Sequence, residues 1–135
     1  MVKGTHSIDD NLSTKDGVYA AHTLGCNTGS IGISMACMLN AEQSSPSTTT
    51  KFPMTGVQVD EFCALAAKLC TEYKIDVSPN TVLCHSEVQH NLGIKQKNKW
   101  DIEWLPWPIP PYKTVGDYLR ARIKSYQKEG GKQSA

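Results

Sequence analysis

The stretch from Thr55 to Tyr73, TGVQVDEFCALAAKLCTEY, carries the clearest secondary-structure signal in the chain. It opens with Thr-Gly-Val-Gln, which has the form of a capping box, in which the side chains of Thr55 and Gln58 each accept the other residue's backbone N–H. Apolar residues then recur at helical spacing on one face, which comprises Phe62, Leu65, Ala66, Leu69 and Tyr73. We therefore predict an amphipathic helix whose apolar face packs on a sheet.

The segment before this helix is predicted to supply the centre of that sheet. Residues Ser30 to Met38, SIGISMACM, are apolar, β-branched at their start and interleaved with small residues, which is typical of a buried central strand. A second short strand is expected from Thr81 to Cys84, and the polar run from Asn40 to Thr50 is expected to be a surface loop. The predicted fold class is therefore α/β, with a mixed central sheet flanked by helices.

The C-terminal part of the chain is predicted to contain a long loop and a final helix. The loop from Ser86 to Lys99 is long for a compact domain, and loops of that length tend to be functional. The motif Thr114-x-x-Asp117 opens a helix whose predicted apolar face comprises Tyr118, Leu119, Arg122, Ile123 and Tyr126. We expect residues 1–128 to form one domain and residues 129–135 to form a disordered tail.

Composition excludes several classes of function. A chain of 135 residues with a formal net charge of +1 is one domain by length and lacks the basic surface that duplex nucleic acid demands, so we expect no nucleic-acid partner. It has no apolar run long enough to span a bilayer and no apolar core of a signal peptide near Met1. Five cysteines without CxxC spacing favour free, buried thiols over a disulfide framework.

One pair of residues has the types and placement of metal ligands. His85 follows the second predicted strand, and Asp101 follows across the loop, so the two side chains could converge on one Zn²⁺. Spacing alone also fits a surface histidine and an aspartate that caps a turn. The neighbouring sequence is therefore needed to distinguish the two interpretations.

Three blocks of the sequence resemble the type 2 N-acetylmuramoyl-L-alanine amidases and the peptidoglycan recognition proteins. The segment Tyr19 to Ser34, YAAHTLGCNTGSIGIS, is similar to their AHT-x-G-x-N-x-x-SIGI signature. The segment Cys84-His-Ser-Glu-Val resembles the family's second block, which supplies a zinc ligand, and Lys99-Trp-Asp-Ile resembles its K-x-D or K-x-C element. The blocks occur in the family's order, and the similarity runs from about residue 19 to the last helix.

The resemblance implies a zinc-dependent peptidoglycan hydrolase that cleaves the amide between N-acetylmuramic acid and L-alanine. It makes His85 and Asp101 zinc ligands, and it makes Lys99 the donor that stabilises the oxyanion of the tetrahedral intermediate. His22 and Asn27 then lie in the loop that lines the substrate groove. The implied cofactor is Zn²⁺ and the implied partner is peptidoglycan. We expect a protein without a membrane span that is cytoplasmic or is released to the cell wall in the manner of a phage lysin.

The sequence departs from this family at its start. Family members begin with a strand that ends in a histidine, the first zinc ligand, and no such segment is recognisable before the first block; His6 lies in an unrelated context. We therefore expect an N-terminally incomplete amidase-type domain, in which two protein ligands hold zinc weakly and catalysis is impaired.

Several other interpretations remain open from the sequence. The chain could be a noncatalytic peptidoglycan-binding module of the same fold. A thiol hydrolase that pairs a cysteine with His22 or His85 is a poorer match, because apolar surroundings raise thiol pKa values. Lys99 could be a solvated charge beside Lys95 and Lys97, and His22 and Asn27 could be turn residues that satisfy backbone groups.

Overall fold

The computed structural model describes residues 4–15, 17–38, 43, 51–97 and 99–134, with side chains described as far as residue 129. Within these ranges the regular structure is helical. Three α-helices span Gly56–Glu72 (α1), Val88–Leu92 (α2) and Val115–Ser134 (α3), and two 3₁₀ helices span Ile8–Leu12 and His85–Glu87. The predicted loop from Asn40 to Thr50 lies outside the described residues except for Gln43.

The predicted central sheet is wrong, because the described residues form no strand. Along the segment from Ser30 to Met38, exposure does alternate as in a strand: Ile31, Ile33, Met35 and Cys37 are half-buried, whereas Gly32, Ser34 and Ala36 are exposed. The inward residues from Ile33 onward pack on the core of the helices. A strand also needs a backbone partner, and the described residues contain no second strand to provide one. The correct fold description for these ranges is helical, and the α/β prediction is not retained.

The second predicted strand, from Thr81 to Cys84, is also absent. Thr81 lies in a turn, where its backbone N–H donates to the carbonyl of Ser78 at 3.2 Å. Cys84 is the N-cap of the 3₁₀ helix that begins at His85, and its N–H donates to the Glu87 carboxylate at 2.9 Å. A turn carbonyl and a local side chain therefore take backbone donors that a ladder would need.

Helix α1 begins as predicted. The Thr55 hydroxyl accepts the Gln58 N–H at 3.1 Å, and the Gln58 side chain accepts the Thr55 N–H at 3.0 Å, which confirms the capping box. The buried face of α1 differs from the predicted face and comprises Val59, Cys63, Ala66, Ala67 and Cys70. Its small side chains permit close packing, and the larger Phe62, Leu65 and Leu69 lie half-buried at the edges.

Helices α1 and α3 pack on each other and form the core. The buried apolar cluster comprises Met54, Val59, Cys63, Ala66, Ala67, Leu105, Val115, Leu119 and Ile123. The Thr114 hydroxyl accepts the Asp117 N–H at 3.1 Å at the start of α3, as the sequence motif predicts. Helix α3 continues to Ser134, past the domain boundary that we predict at residue 128, and that boundary stays a prediction. No helix in the described part of the chain is long and apolar enough to cross a membrane.

Candidate functional site

His85 lies on a short turn that is built from its own neighbours. The 3₁₀ helix His85–Glu87 leads directly into α2, and the carboxylate of Glu87 accepts the backbone N–H of Cys84. This hydrogen bond satisfies one of the backbone donors at the start of the turn. The side chain of Glu87, the third residue of the turn, therefore stabilises the backbone conformation that positions His85.

The same carboxylate is fixed from the other side by α3. Arg120 donates from both terminal nitrogens to Glu87, at 2.9 and 2.8 Å, and also donates to the carbonyl of Val82 at 2.8 Å. Burial opposes ionisation of Glu87, but the hydrogen bonds from Arg120 and Cys84 outweigh it and hold the pKa of this carboxyl below its usual value. The turn of His85 is thus tied to the core helix by a charged pair.

Asp101 is brought to His85 by the backbone as well as by its side chain. The Ser86 N–H donates to the carbonyl of Asp101 at 2.8 Å, which joins the two loops beside the site. The Nδ1 atom of His85 then lies 3.6 Å from Oδ2 of Asp101, with the imidazole mostly buried and the carboxylate largely exposed. The structure therefore brings together the two residues that we predict from sequence as zinc ligands.

The separation of these two atoms fits a shared metal. Two ligands about 2.0–2.2 Å from a tetrahedral Zn²⁺ lie about 3.3–3.6 Å from each other, and one nitrogen with one carboxylate oxygen is a usual donor pair for this ion. A zinc site also needs further ligands. Among the residues that the structure describes, no group of three or more His, Cys, Asp or Glu side chains has the arrangement of a metal site, so only two of the expected protein donors are accounted for.

A small cavity lies next to His85. It has a volume of about 160 Å³ and is lined by His22, Leu24, His85, Gln96, Lys97 and Lys99. The predicted catalytic residue Lys99 therefore shares a cavity with the predicted ligand His85. Lys99 is exposed, and no ion pair within the described ranges engages its ammonium group. Lys99 thus lies at the same cavity as His85 and Gln96.

The loop that carries His22 and Asn27 is held by hydrogen bonds within itself. The side-chain oxygen of Asn27 accepts the backbone N–H groups of His22 and Thr23, at 2.8 and 2.9 Å. The imidazole of His22 lies 3.0 Å from the carbonyl of Ala20 through Nδ1 and 3.0 Å from the Ser30 hydroxyl through Nε2. His22 lines the cavity and Asn27 does not, so Asn27 has the contacts of a turn residue, and the predicted substrate contacts of both stay predictions.

A family model of N-acetylmuramoyl-L-alanine amidases matches residues 8–108, which is more than half of the 135 residues. The chain belongs to this family. No curated protein and no solved structure matches the chain significantly. The matched range contains His22, His85, Lys99 and Asp101, and it ends before α3. Membership of this family supports a general function on peptidoglycan, either as an amidase or as a peptidoglycan-binding module.

A buried residue beside His85 was not predicted from the sequence. Gln96 is 8% exposed, and its side chain reaches both His85 and the carbonyl of Leu24. It lies in the segment from Ser86 to Lys99, which we predict to be one long functional loop; that prediction is wrong in part, because His85–Glu87 form a 3₁₀ helix and Val88–Leu92 form α2. Within that loop Gln96 has the appearance of a solvated polar residue between lysines, so no sequence signal marks it as buried.

The cysteines are free and do not favour thiol chemistry in this amidase-family chain. Burial raises the pKa of the Cys84 thiol, the one next to His85, to about 12, with a further contribution from the neighbouring Glu87 carboxylate. Burial raises the pKa of Cys63 to about 11, and it also raises those of Cys37 and Cys70. Because the thiolate is the nucleophile, these shifts work against the thiol hydrolase that the sequence left open.

Proposed function

We propose that this chain is a zinc-dependent N-acetylmuramoyl-L-alanine amidase that hydrolyses the amide between N-acetylmuramic acid and L-alanine in peptidoglycan. The observation that supports it most is the 3.6 Å approach of His85 Nδ1 and Asp101 Oδ2 beside a cavity, in a chain that belongs to the amidase family. Peptidoglycan is a cell-wall polymer, so the proposed place of action is the wall or its released fragments.

Each residue of the site has a role in this proposal. His85 and Asp101 would hold the zinc ion, together with water and a third protein ligand. When bound, zinc supplies polarisation of the scissile carbonyl and activation of water. The ammonium group of Lys99 stabilises the negative charge that develops on the carbonyl oxygen as water adds. The loop of His22 lines the cavity and contacts the substrate.

The test is digestion of purified peptidoglycan by the whole chain with added zinc. Amide cleavage releases stem peptides with a new L-alanine amino terminus and creates no new reducing sugar ends. We expect this product from the wild type and its loss in His85→Ala and Asp101→Asn. His90→Ala is the matched control, because His90 is an exposed histidine on the neighbouring helix α2. New reducing ends, or equal cleavage by all four proteins, would contradict the proposal.

A second candidate function is a noncatalytic peptidoglycan-binding module. It is favoured by the two-member donor set, since the described residues bring no third metal ligand to His85 and Asp101. Co-sedimentation with insoluble peptidoglycan separates the two candidates. Binding without release of L-alanine-terminated peptides at saturating zinc supports the module, whereas release supports the amidase.

A further inference from the structure

We infer that Gln96 is a positioning residue that fixes the imidazole of His85 with its Nδ1 atom directed toward Asp101. The inference deepens the proposed function, on which the metal-binding part of it rests. Gln96 acts through His85 and does not itself contact a reacting group. Three contacts of the Gln96 side chain carry the argument.

The orientation of the Gln96 amide is set by its surroundings. Its nitrogen, Nε2, lies 2.7 Å from the carbonyl oxygen of Leu24 and 3.4 Å from that of Ile94. Carbonyl oxygens only accept hydrogen bonds, so the amide group has to place its NH₂ on this side. The carbonyl oxygen of the side chain, Oε1, therefore faces His85, at 3.1 Å from Nε2 of the imidazole.

This orientation selects one tautomer of His85. Oε1 of Gln96 has no hydrogen to donate, so the hydrogen bond requires the proton to be on Nε2 of His85. In the neutral ring Nδ1 then carries a lone pair, and this lone pair faces Oδ2 of Asp101 at 3.6 Å. Two acceptors at this separation repel each other unless a proton or a metal cation lies between them. A histidine ligand whose other ring N–H is held by an acceptor is the usual arrangement at metal sites.

The backbone of Gln96 is itself fixed by a hydrogen bond. Its backbone N–H donates to Oε1 of Gln89 at 3.0 Å, and the residue is buried. Its side chain also donates to the carbonyl of Leu24, which lies 72 residues before Gln96 in the sequence and belongs to the loop of the first signature block. Gln96 therefore joins that loop to the turn of His85. Gln96 thus connects Leu24 and His85, which both line the cavity, and orients the ring of His85.

The test is the ¹⁵N spectrum of the His85 ring, which distinguishes the two neutral tautomers, in parallel with zinc affinity. Gln96→Met keeps the approximate volume but has no acceptor, so we expect the signals of His85 to move toward those of exchanging tautomers and zinc affinity to fall about 10- to 100-fold. The metal-free wild type should itself show the proton on Nε2 of His85. Gln127→Met, on α3 and distant from the site, is the matched control and should change neither measurement.

The outcomes separate the inference from the proposed function. An unchanged His85 spectrum and unchanged zinc affinity in Gln96→Met overturn the inference, as does a wild-type spectrum with the proton on Nδ1; the wild-type spectrum decides the matter if the variant does not fold. If the His85 spectra change as expected, but neither the wild type nor any variant cleaves peptidoglycan, the positioning role stands and the proposed function fails.

Discussion

Arg120 donates two parallel hydrogen bonds to Glu87, at 2.9 and 2.8 Å, in the interface between helix α3 and the turn that carries His85. The side chain of Arg120 is 8% exposed and that of Glu87 is 16% exposed, so the pair is largely removed from water. Asp117 adds a third carboxylate contact to Arg120, at 2.9 Å. A bidentate pair in this position fixes the direction of both side chains and hence the position of the turn.

Replacing Glu87 with glutamine should destabilise the protein by about 3 kcal/mol, because Arg120 keeps its buried charge and loses its main partner. The matched control is Asp60→Asn, which breaks the exposed pair between Asp60 and Arg122 and should cost less than about 1 kcal/mol. Urea unfolding of the two variants measures the difference. Equal losses of unfolding free energy would show that the Glu87 pair has no special structural weight.

The close approach of Gly116 to Glu87 leads to a second prediction. A Cβ atom added at Gly116 would overlap the Glu87 carboxylate, whereas one added at Gly56 meets nothing within 4 Å. Both glycines lie in the first turn of a helix. Gly116→Ala should therefore destabilise by about 1–3 kcal/mol through overpacking, and Gly56→Ala should be neutral or stabilising by up to about 1 kcal/mol. Thermal unfolding of both variants tests this, and a stabilised Gly116→Ala contradicts it.

Helices α1 and α3 could be predicted from the sequence because their signals are local, whereas the short α2 lies in a segment that we predict as a loop. The capping residues of α1 and α3 lie within three positions of each other, and the structure confirms both. The prediction of a strand over residues 30–38 was wrong for the opposite reason, because a strand depends on contacts that are not local. Its alternating exposure is a local property and is present, but a ladder depends on a distant partner that the pattern of one segment does not reveal.

The proximity of the candidate site residues could be predicted where residue type and order resemble the family, and their roles stay predictions. The sequence places His85, Lys99 and Asp101 in matching blocks, and the structure brings His85 next to Asp101 and into one cavity with Lys99. Gln96 and Arg120 were missed. Both are polar residues in segments that look solvated, and both are buried by contacts with residues more than 30 positions away.

The raised thiol pKa values predict slow alkylation. At pH 8 a thiol with a pKa of about 11, such as Cys63, has about 100-fold less thiolate than one at the ordinary value of 9.0. Iodoacetamide should therefore modify Cys63 and Cys84 far more slowly in the native protein than in the urea-unfolded chain, as read by mass spectrometry. Hydrolysis should survive the treatment. Native labelling of Cys84 at the unfolded rate would revive the thiol interpretation.

Lys99 should contribute to turnover and leave zinc binding unchanged. Removing one donor to a developing oxyanion typically costs about 100- to 1,000-fold in kcat. We expect a loss of this order in Lys99→Met, with zinc affinity as in the wild type. Lys95→Met is the control, because Lys95 is exposed and does not line the cavity. Equal kcat values for the two variants would assign Lys99 to the solvated surface.

Zinc titration of the chelator-treated protein by calorimetry measures whether His85 and Asp101 share one zinc ion. We expect one zinc to bind per chain in the wild type and in His90→Ala, with an affinity at least about tenfold lower in His85→Ala and in Asp101→Ala. Identical zinc binding by the wild type and by the double variant lacking both side chains would contradict this expectation.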